Sequence, residues 1–310
     1  MSVSLSFQGK GSTRTPATGS LDKGVVHGSG SLQDGWRNLL IHGDNLEVMS
    51  ALRGDLYGKV DLIYGDPPFF SGKDRHYRQG TEAKYAYGDT WPGGLPEYLE
   101  YIRARLELCR DLLADTGSIY IHLDPTVSHY VKVLMDEVFG PERFIREIIW
   151  RIGWVSGFKT RAKNWARNHD VILFYSKGPE FRFTKIFIPH EPGYRRRGEP
   201  GKAPGKCVDD VWVDMPSIQI MSFAQEKTGY DTQKNENLLE RILAASSSAG
   251  DLVADVFCGS GTTLVVAERI GRRWVGVDIS PAAIEVTQDR LEGIEGCREF
   301  EVIRRAEPGP

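Results

Sequence analysis

Leu252-Val253-Ala254-Asp255-Val256-Phe257-Cys258-Gly259-Ser260-Gly261-Thr262-Thr263 is an apolar, β-rich run that breaks into a glycine turn and opens a helix predicted over Thr262–Ile270. The glycines let backbone approach a ligand, and the helix N-terminus offers free N–H groups that attract a carboxylate. The next strand, Trp274–Val277, ends at Asp278. An acidic side chain there, about twenty residues on, is placed to bind ribose hydroxyls. The dinucleotide fingerprint is incomplete, because Leu264 stands where a third glycine belongs. The combination points to a single-nucleoside ligand without a pyrophosphate.

A second string, Asp66-Pro67-Pro68-Phe69, also follows an apolar run, Val60–Tyr64. The prolines stiffen the turn and fix where the Asp66 carboxylate and the Pro67 carbonyl point, so two acceptors converge on one amine. An exocyclic base amine is a poor nucleophile because its lone pair is delocalised into the ring. Hydrogen bonds to both its protons free the lone pair, Asp66 stabilises the positive charge that develops, and Phe69 offers a ring face for stacking. A base held this way has left its duplex, so flipping is implied. In an open parallel sheet, two such loops from neighbouring strands face one cleft.

Strand, helix and strand succeed one another from Trp36 to Gly65, and a helical segment from Pro96 to Ala114 leads into a further strand, Gly117–Leu123, the pattern of a parallel α/β sheet. Asp44 ends a strand, where it reads both as a helix N-cap and as an acceptor for an adenine amino group. Residues 1–34, rich in Gly, Ser and Thr, read as a disordered tail. Residues 35–150 read as the catalytic half, 226–295 as the cofactor-binding half and 296–310 as a second tail. Between the halves, 151–225 reads as a basic insert that includes the last sheet strand near 170–176. From 151 to 215, thirteen Lys and Arg face seven Asp and Glu, with Trp154, Phe158, Trp165, Tyr194 and Trp212 interleaved. That asymmetry suits phosphate contact and marks Lys159, Arg161, Lys163, Arg195, Arg196 and Arg197 as DNA-binding candidates.

With 310 residues and 40% hydrophobic content the chain builds one large α/β domain with a smaller insertion. No apolar run reaches membrane-spanning length and no secretory pattern opens the chain, so the expected location is cytoplasmic. Cys109, Cys207, Cys258 and Cys297 form no CxxC pair, which argues against a zinc site or a disulfide framework, and Cys258 reads as a small side chain in the glycine loop. The net charge of -3 makes charge distribution more informative than the total.

On these residues the chain resembles the amino-group DNA methyltransferases of the permuted β class, bacterial or phage enzymes that use S-adenosylmethionine. Their D-P-P-[YF] segment precedes F-x-G-x-G with target recognition between, the order found here. The match extends to Gly43-Asp44-Asn45-Leu46, to Asp124, and to Tyr230-Asp231-Thr232-Gln233-Lys234-Asn235-Glu236, which resembles the family's T-Q-K-P segment except that Asn235 replaces proline. The resemblance implies a Rossmann-like S-adenosylmethionine-dependent methyltransferase fold with a seven-stranded mixed sheet in circularly permuted order. It implies Asp66, Pro67, Pro68 and Phe69 as catalytic residues and Asp255, Phe257, Gly259, Gly261 and Thr262 around the methionine end. Asp278 takes the ribose, and Asp44, Asn45, Asp66, Thr232, Gln233, Lys234, Cys258 and Thr263 complete the cofactor set. Double-stranded DNA is the implied partner, with a homodimer and a cognate restriction endonuclease as further partners. Aspartate before the prolines resembles the adenine-N6 members, whereas serine is common among cytosine-N4 enzymes, which stand as the alternative. Protein or RNA amine methylators, resembling Asn-Pro-Pro-Tyr with the glycine loop first, fit in neither order nor residue. A catalytically silent cofactor-binding DNA adaptor is the alternative of another class.

Overall fold

Val60–Gly65 and Leu252–Asp255, the strands that carry the two marker loops, lie side by side and parallel, with Tyr64 opposite Asp255. Both loops therefore leave the same edge of one sheet. The computed structural model describes residues 4–13, 16, 21, 23–29, 35–79, 82–154, 163–189, 205–218, 226–230 and 232–304.

In chain order, β1 (Val25–His27) and β2 (Asn38–His42) lead into α1 (Asn45–Leu56) and β3 (Val60–Gly65). A hairpin of β4 (Arg75–Gln79) and β5 (Glu82–Tyr87) precedes α2 (Gly94–Leu112), β6 (Leu113–Leu123) and α3 (Pro125–Phe139). The strands β7 (Phe144–Arg151) and β8 (His169–Ser176) follow, then the short β9 (Phe187–Ile188), β10 (Lys206–Cys207) and β11 (Val211–Trp212). The last part comprises α4 (Glu236–Ser246), β12 (Leu252–Asp255), α5 (Thr262–Arg269), β13 (Arg273–Asp278), α6 (Pro281–Glu292) and β14 (Phe300–Arg304).

The main sheet runs β1-β14-β2-β13-β12-β3-β6-β8-β7-β11. The seven from β2 to β7 are the expected mixed sheet, with β8 antiparallel to both its neighbours. Three more strands extend its edges, and two of these correct the reading of the termini. β14 lies within 296–310 and pairs with β2, while β1 lies within 1–34 and pairs with β14. Phe300 and Val302 are buried, so the C-terminal strand has an apolar face to bury although it is short. Leu5 and Phe7 pack against the core, and the amides of Gly11 and Thr13 each donate at 2.8 Å to the carboxylate of buried Glu100. What looked too polar to order is tied down by backbone pairing and by a carboxylate on α2, partners that composition does not reveal.

Alternation along the strands feeds two cores. Ile63 of β3 packs with α1, α2 and α3 on one face, whereas Leu62 and Tyr64 pack with α4, α5 and α6 on the other. Helix starts are built from local side chains: Asp44 accepts from Leu46 N at 2.8 Å, Asp124 from Thr126 N at 2.7 Å, and Asn235 from Asn237 N at 2.8 Å. Capping accounts for Asn235 in place of the proline of T-Q-K-P, since it starts α4 and also donates to Pro216 O at 3.0 Å. No helix among the described residues is long and apolar enough to cross a membrane.

Candidate active site

The glycine loop is shaped by its own frame. Gly261 has φ +73°, and a Cβ there would meet Thr287 Cγ2 at 2.4 Å, so α6 reaches the loop only because the side chain is absent. Thr287 Oγ1 donates to Gly259 O at 3.0 Å, and Arg290 Nη1 donates to Ser260 O at 2.6 Å and to Thr262 Oγ1 at 3.0 Å. Leu264 packs into the place of the missing Cβ of Gly276, with the constructed atom only 2.2 Å from Leu264 Cδ1. The close approach of helix and strand that a third loop glycine would allow is therefore provided from β13.

Asp278 leaves β13 beside this loop and accepts from Gly259 N and Ser280 N, both at 2.8 Å. Burial raises its carboxyl above the usual range. Asp255 is also buried and accepts from Thr263 Oγ1 at 2.5 Å and Phe257 N at 3.1 Å. Burial, reinforced by the charges of Asp66 and Asp278, outweighs these bonds and pushes it up to about 7. Cys258 is buried, and its thiol is pushed well above its ordinary value chiefly by desolvation, consistent with a small packing residue.

Asp66 faces the same cavity, which has a volume of about 340 Å³ and is also lined by Asp44, Asp255, Gly259 and Asp278. One Asp66 oxygen, Oδ2, accepts from Lys234 Nζ. The other, Oδ1, is buried and has no hydrogen-bond partner among the described residues. The Lys234 ammonium lies 5.2 Å from the centroid of the Phe69 ring, between the carboxylate and the aromatic face. Phe69 in turn stacks on the ring of His122 at 6.0 Å, and His122 is fully buried between Tyr64 Oη at 2.8 Å and Asp170 Oδ2 at 3.2 Å.

Other predicted residues also have partners within the protein. Asp44 caps α1 and forms an ion pair with Arg105 at 2.9 Å, so its capping role is filled, and its carboxylate also borders the cavity. Asn45 is buried and donates to Val256 O at 2.6 Å, tying the start of α1 to the end of β12. Gln233 donates to Glu226 O at 2.6 Å and accepts from Thr228, which organises its own loop while lining the cavity. Thr232, Thr262 and Thr263 line the cavity too. Lys234, read from the sequence with the cofactor set, lines the cavity and also touches the Asp66 carboxylate.

The stretch Ser71–Trp91, polar and tyrosine-bearing in sequence, supplies a wall of the cavity that its composition did not point to. Tyr85, Ala86, Tyr87, Gly88 and Trp91 all border the cavity. Of the DNA candidates, Lys163 is exposed. Lys159, Arg161, Arg195, Arg196 and Arg197 lie outside the described residues.

The model of the N6/N4 methyltransferase family, described as DNA methylase, matches residues 60–289, which includes both marker loops and the segment between them. The chain belongs to this family. This DNA methylase is 32% identical over 320 aligned positions to the type II methyltransferase M.EcaI of Enterobacter cloacae, covering 82% of this chain and 69% of the relative. In fold it is similar to the M1.HpyAVI complex with SAM, with TM-score 0.54 and 19% identity over 82% of this chain and 98% of that one. It is likewise similar to PvuII DNA methyltransferase, described as cytosine-N4-specific, with TM-score 0.56 and 16% identity over 82% and 86% of the two chains. S-adenosylmethionine is the methyl donor of the family, and the residues here fit it. Asp66, Asp255 and Asp278 line the cavity with carboxyl groups that can accept from the ammonium and hydroxyl groups of such a ligand.

Proposed function

We propose that this DNA methylase transfers a methyl group to N6 of an adenine flipped out of double-stranded DNA. The observation that carries the reading is Asp66, with Oδ2 held by Lys234 and Oδ1 buried without a partner among the described residues, at the wall of the cavity. A buried acceptor with no donor is costly, so a base amine entering there completes a set of bonds that the protein leaves open. When bound, S-adenosylmethionine supplies an electrophilic methyl. Asp66 Oδ1 and the Pro67 carbonyl accept hydrogen bonds from the two amine protons and direct the nitrogen lone pair, the Asp66 charge stabilises the cationic nitrogen, and once methylated that nitrogen releases one proton to solvent. Phe69, backed by His122, stacks the base. Asp278 holds the ribose hydroxyls, and Asp255, Phe257, Gly259, Gly261 and Thr262 surround the methionine end.

The choice of adenine over cytosine N4 rests on aspartate before Pro67-Pro68. Duplex contact is assigned to the insert, where Trp165 is 98% exposed and Arg167 stands between Asp124 and Asp170 at the catalytic edge of the sheet. Replacing Arg195, Arg196 and Arg197 together is expected to weaken DNA binding and flatten its salt dependence while cofactor affinity is unchanged. A cytoplasmic location, a homodimer and a cognate restriction endonuclease accompany this proposal through the family resemblance. The test is to express the protein in cells without their own DNA methylation and analyse hydrolysed DNA by mass spectrometry. N6-methyladenine is expected. N4-methylcytosine would overturn the choice of base, and neither product would favour the adaptor.

A further inference from the structure

Beneath the catalytic turn sits a carboxylate that the chemistry above does not use. Asp89 is fully buried and forms no ion pair among the described residues. It accepts instead from four donors: Phe70 N at 3.0 Å, Ser71 N at 2.8 Å, Ser71 Oγ at 2.6 Å and Trp91 Nε1 at 2.9 Å. Three of the four come from the two residues that follow Asp66-Pro67-Pro68-Phe69.

Phe70 is also the one non-glycine residue with positive φ among the described residues, at +58°. A bulky aromatic in this region is strained, and such strain persists only where the surroundings impose it. The Asp89 carboxylate imposes it, because successive amides turned through a left-handed residue converge on a single anion. Upstream, two prolines restrict Asp66, Pro67 and Pro68, so the segment is stiff up to Phe69. The direction of the whole turn is then set where it is clamped downstream, at Phe70 and Ser71. Through Trp91, whose indole borders the cofactor cavity, the same carboxylate also fixes a wall of that cavity.

We infer that Asp89 is a positioning residue for methyl transfer: it holds the left-handed turn at Phe70 and so aims Asp66 and Phe69 at the base. The inference rests on the methyl-transfer reading of Asp66. It is tested on the full-length protein with the variants Asp89→Asn and Ser71→Ala, the latter removing one donor from an exposed side chain. Three quantities are compared: the kcat and KM of methyl transfer to DNA, the affinity for S-adenosylhomocysteine by calorimetry, and amide hydrogen exchange over 66–91. Asp89→Asn is expected to lower kcat about ten- to hundredfold and Ser71→Ala about threefold, with analogue affinity within about threefold of wild type. Exchange at Phe70 and Ser71 rises while β3 stays protected. Adding Phe70→Gly to Asp89→Asn recovers part of kcat, because glycine adopts the left-handed conformation without the clamp. The proposal is overturned if both single variants retain kcat within twofold of an active wild type, or if their exchange at Phe70 and Ser71 is unchanged. Wild-type protein that transfers no methyl to any DNA would instead end the reading of Asp66, and with it the role of Asp89 in transfer.

Discussion

The glycine loop and the proline turn leave adjacent parallel strands at the same edge, yet they are held in different ways. Polar groups of the glycine loop bond mainly to neighbours within β12–α6, the Asp255–Thr263 and Asp278–Gly259 pairs among them. The proline turn instead draws on three separate parts of the chain: Lys234 for one oxygen of Asp66, His122 behind Phe69, and Asp89, in the segment before α2, for the turn after it. The binding loop is thus shaped by its own local frame. The catalytic turn is assembled, and one of its acceptors, Asp66 Oδ1, has no partner among the described residues.

The sharpest way to break this contrast is Asp66→Ala. Methyl transfer should fall by roughly a hundred- to a thousandfold in a tritiated-methyl assay, while cofactor affinity by calorimetry stays within about threefold. Equal incorporation by both proteins would remove Asp66 from the chemistry.

Lys234→Met tests whether the ammonium serves the carboxylate or the cofactor. If it orients Asp66, kcat drops roughly ten- to hundredfold and cofactor KM barely moves. A larger effect on cofactor KM would return Lys234 to the cofactor set. A faster variant would mean that the ammonium obstructs the amine site.

On the other side of the comparison, Gly261→Ala forces a Cβ against Thr287 in a left-handed conformation. Cofactor affinity is expected to weaken about tenfold, measured by calorimetry, with kcat at saturating cofactor close to wild type. An unchanged affinity would show that the loop yields and does not need its shape.

The smallest effect is on stability against pH. Burial holds Asp255 at about 7 in the folded protein against 3.8 for the free side chain, so its contribution is fully present below the unfolded value. That contribution is lost as pH rises towards the folded value. Without cofactor, wild type should therefore lose a few degrees of Tm between pH 5 and pH 7 that Asp255→Asn does not lose, in paired thermal scans. Parallel curves would mean that Asp255 ionises as freely when folded as when unfolded.

Local signals reached far into this molecule. Val60–Gly65, the helix after Gly261 and the strand ending at Asp278 were legible because strand burial and helix capping act within a few residues. The hairpin before Trp91 and the sheet strands in both presumed tails were not legible. Their stability comes from Tyr230, α6 and β2, which are remote in sequence. Asn235 shows the same limit in reverse, since the departure from proline looked like a weakened motif and is a helix cap.

Residue type and order alone determined the α/β class, the permuted arrangement of the two loops, and the candidates Asp66, Gly259, Gly261 and Asp278. These follow from preferences that operate along a few bonds: apolar alternation, proline stiffness and glycine freedom. Only the tertiary structure decided that Lys234 meets Asp66, that Asp44 pairs with Arg105 as well as capping α1, and that Asp89 accepts from the amide of Phe70. Each is a contact between charged or polar groups from separate segments, and its existence depends on which desolvated partners the folded chain brings within hydrogen-bond reach.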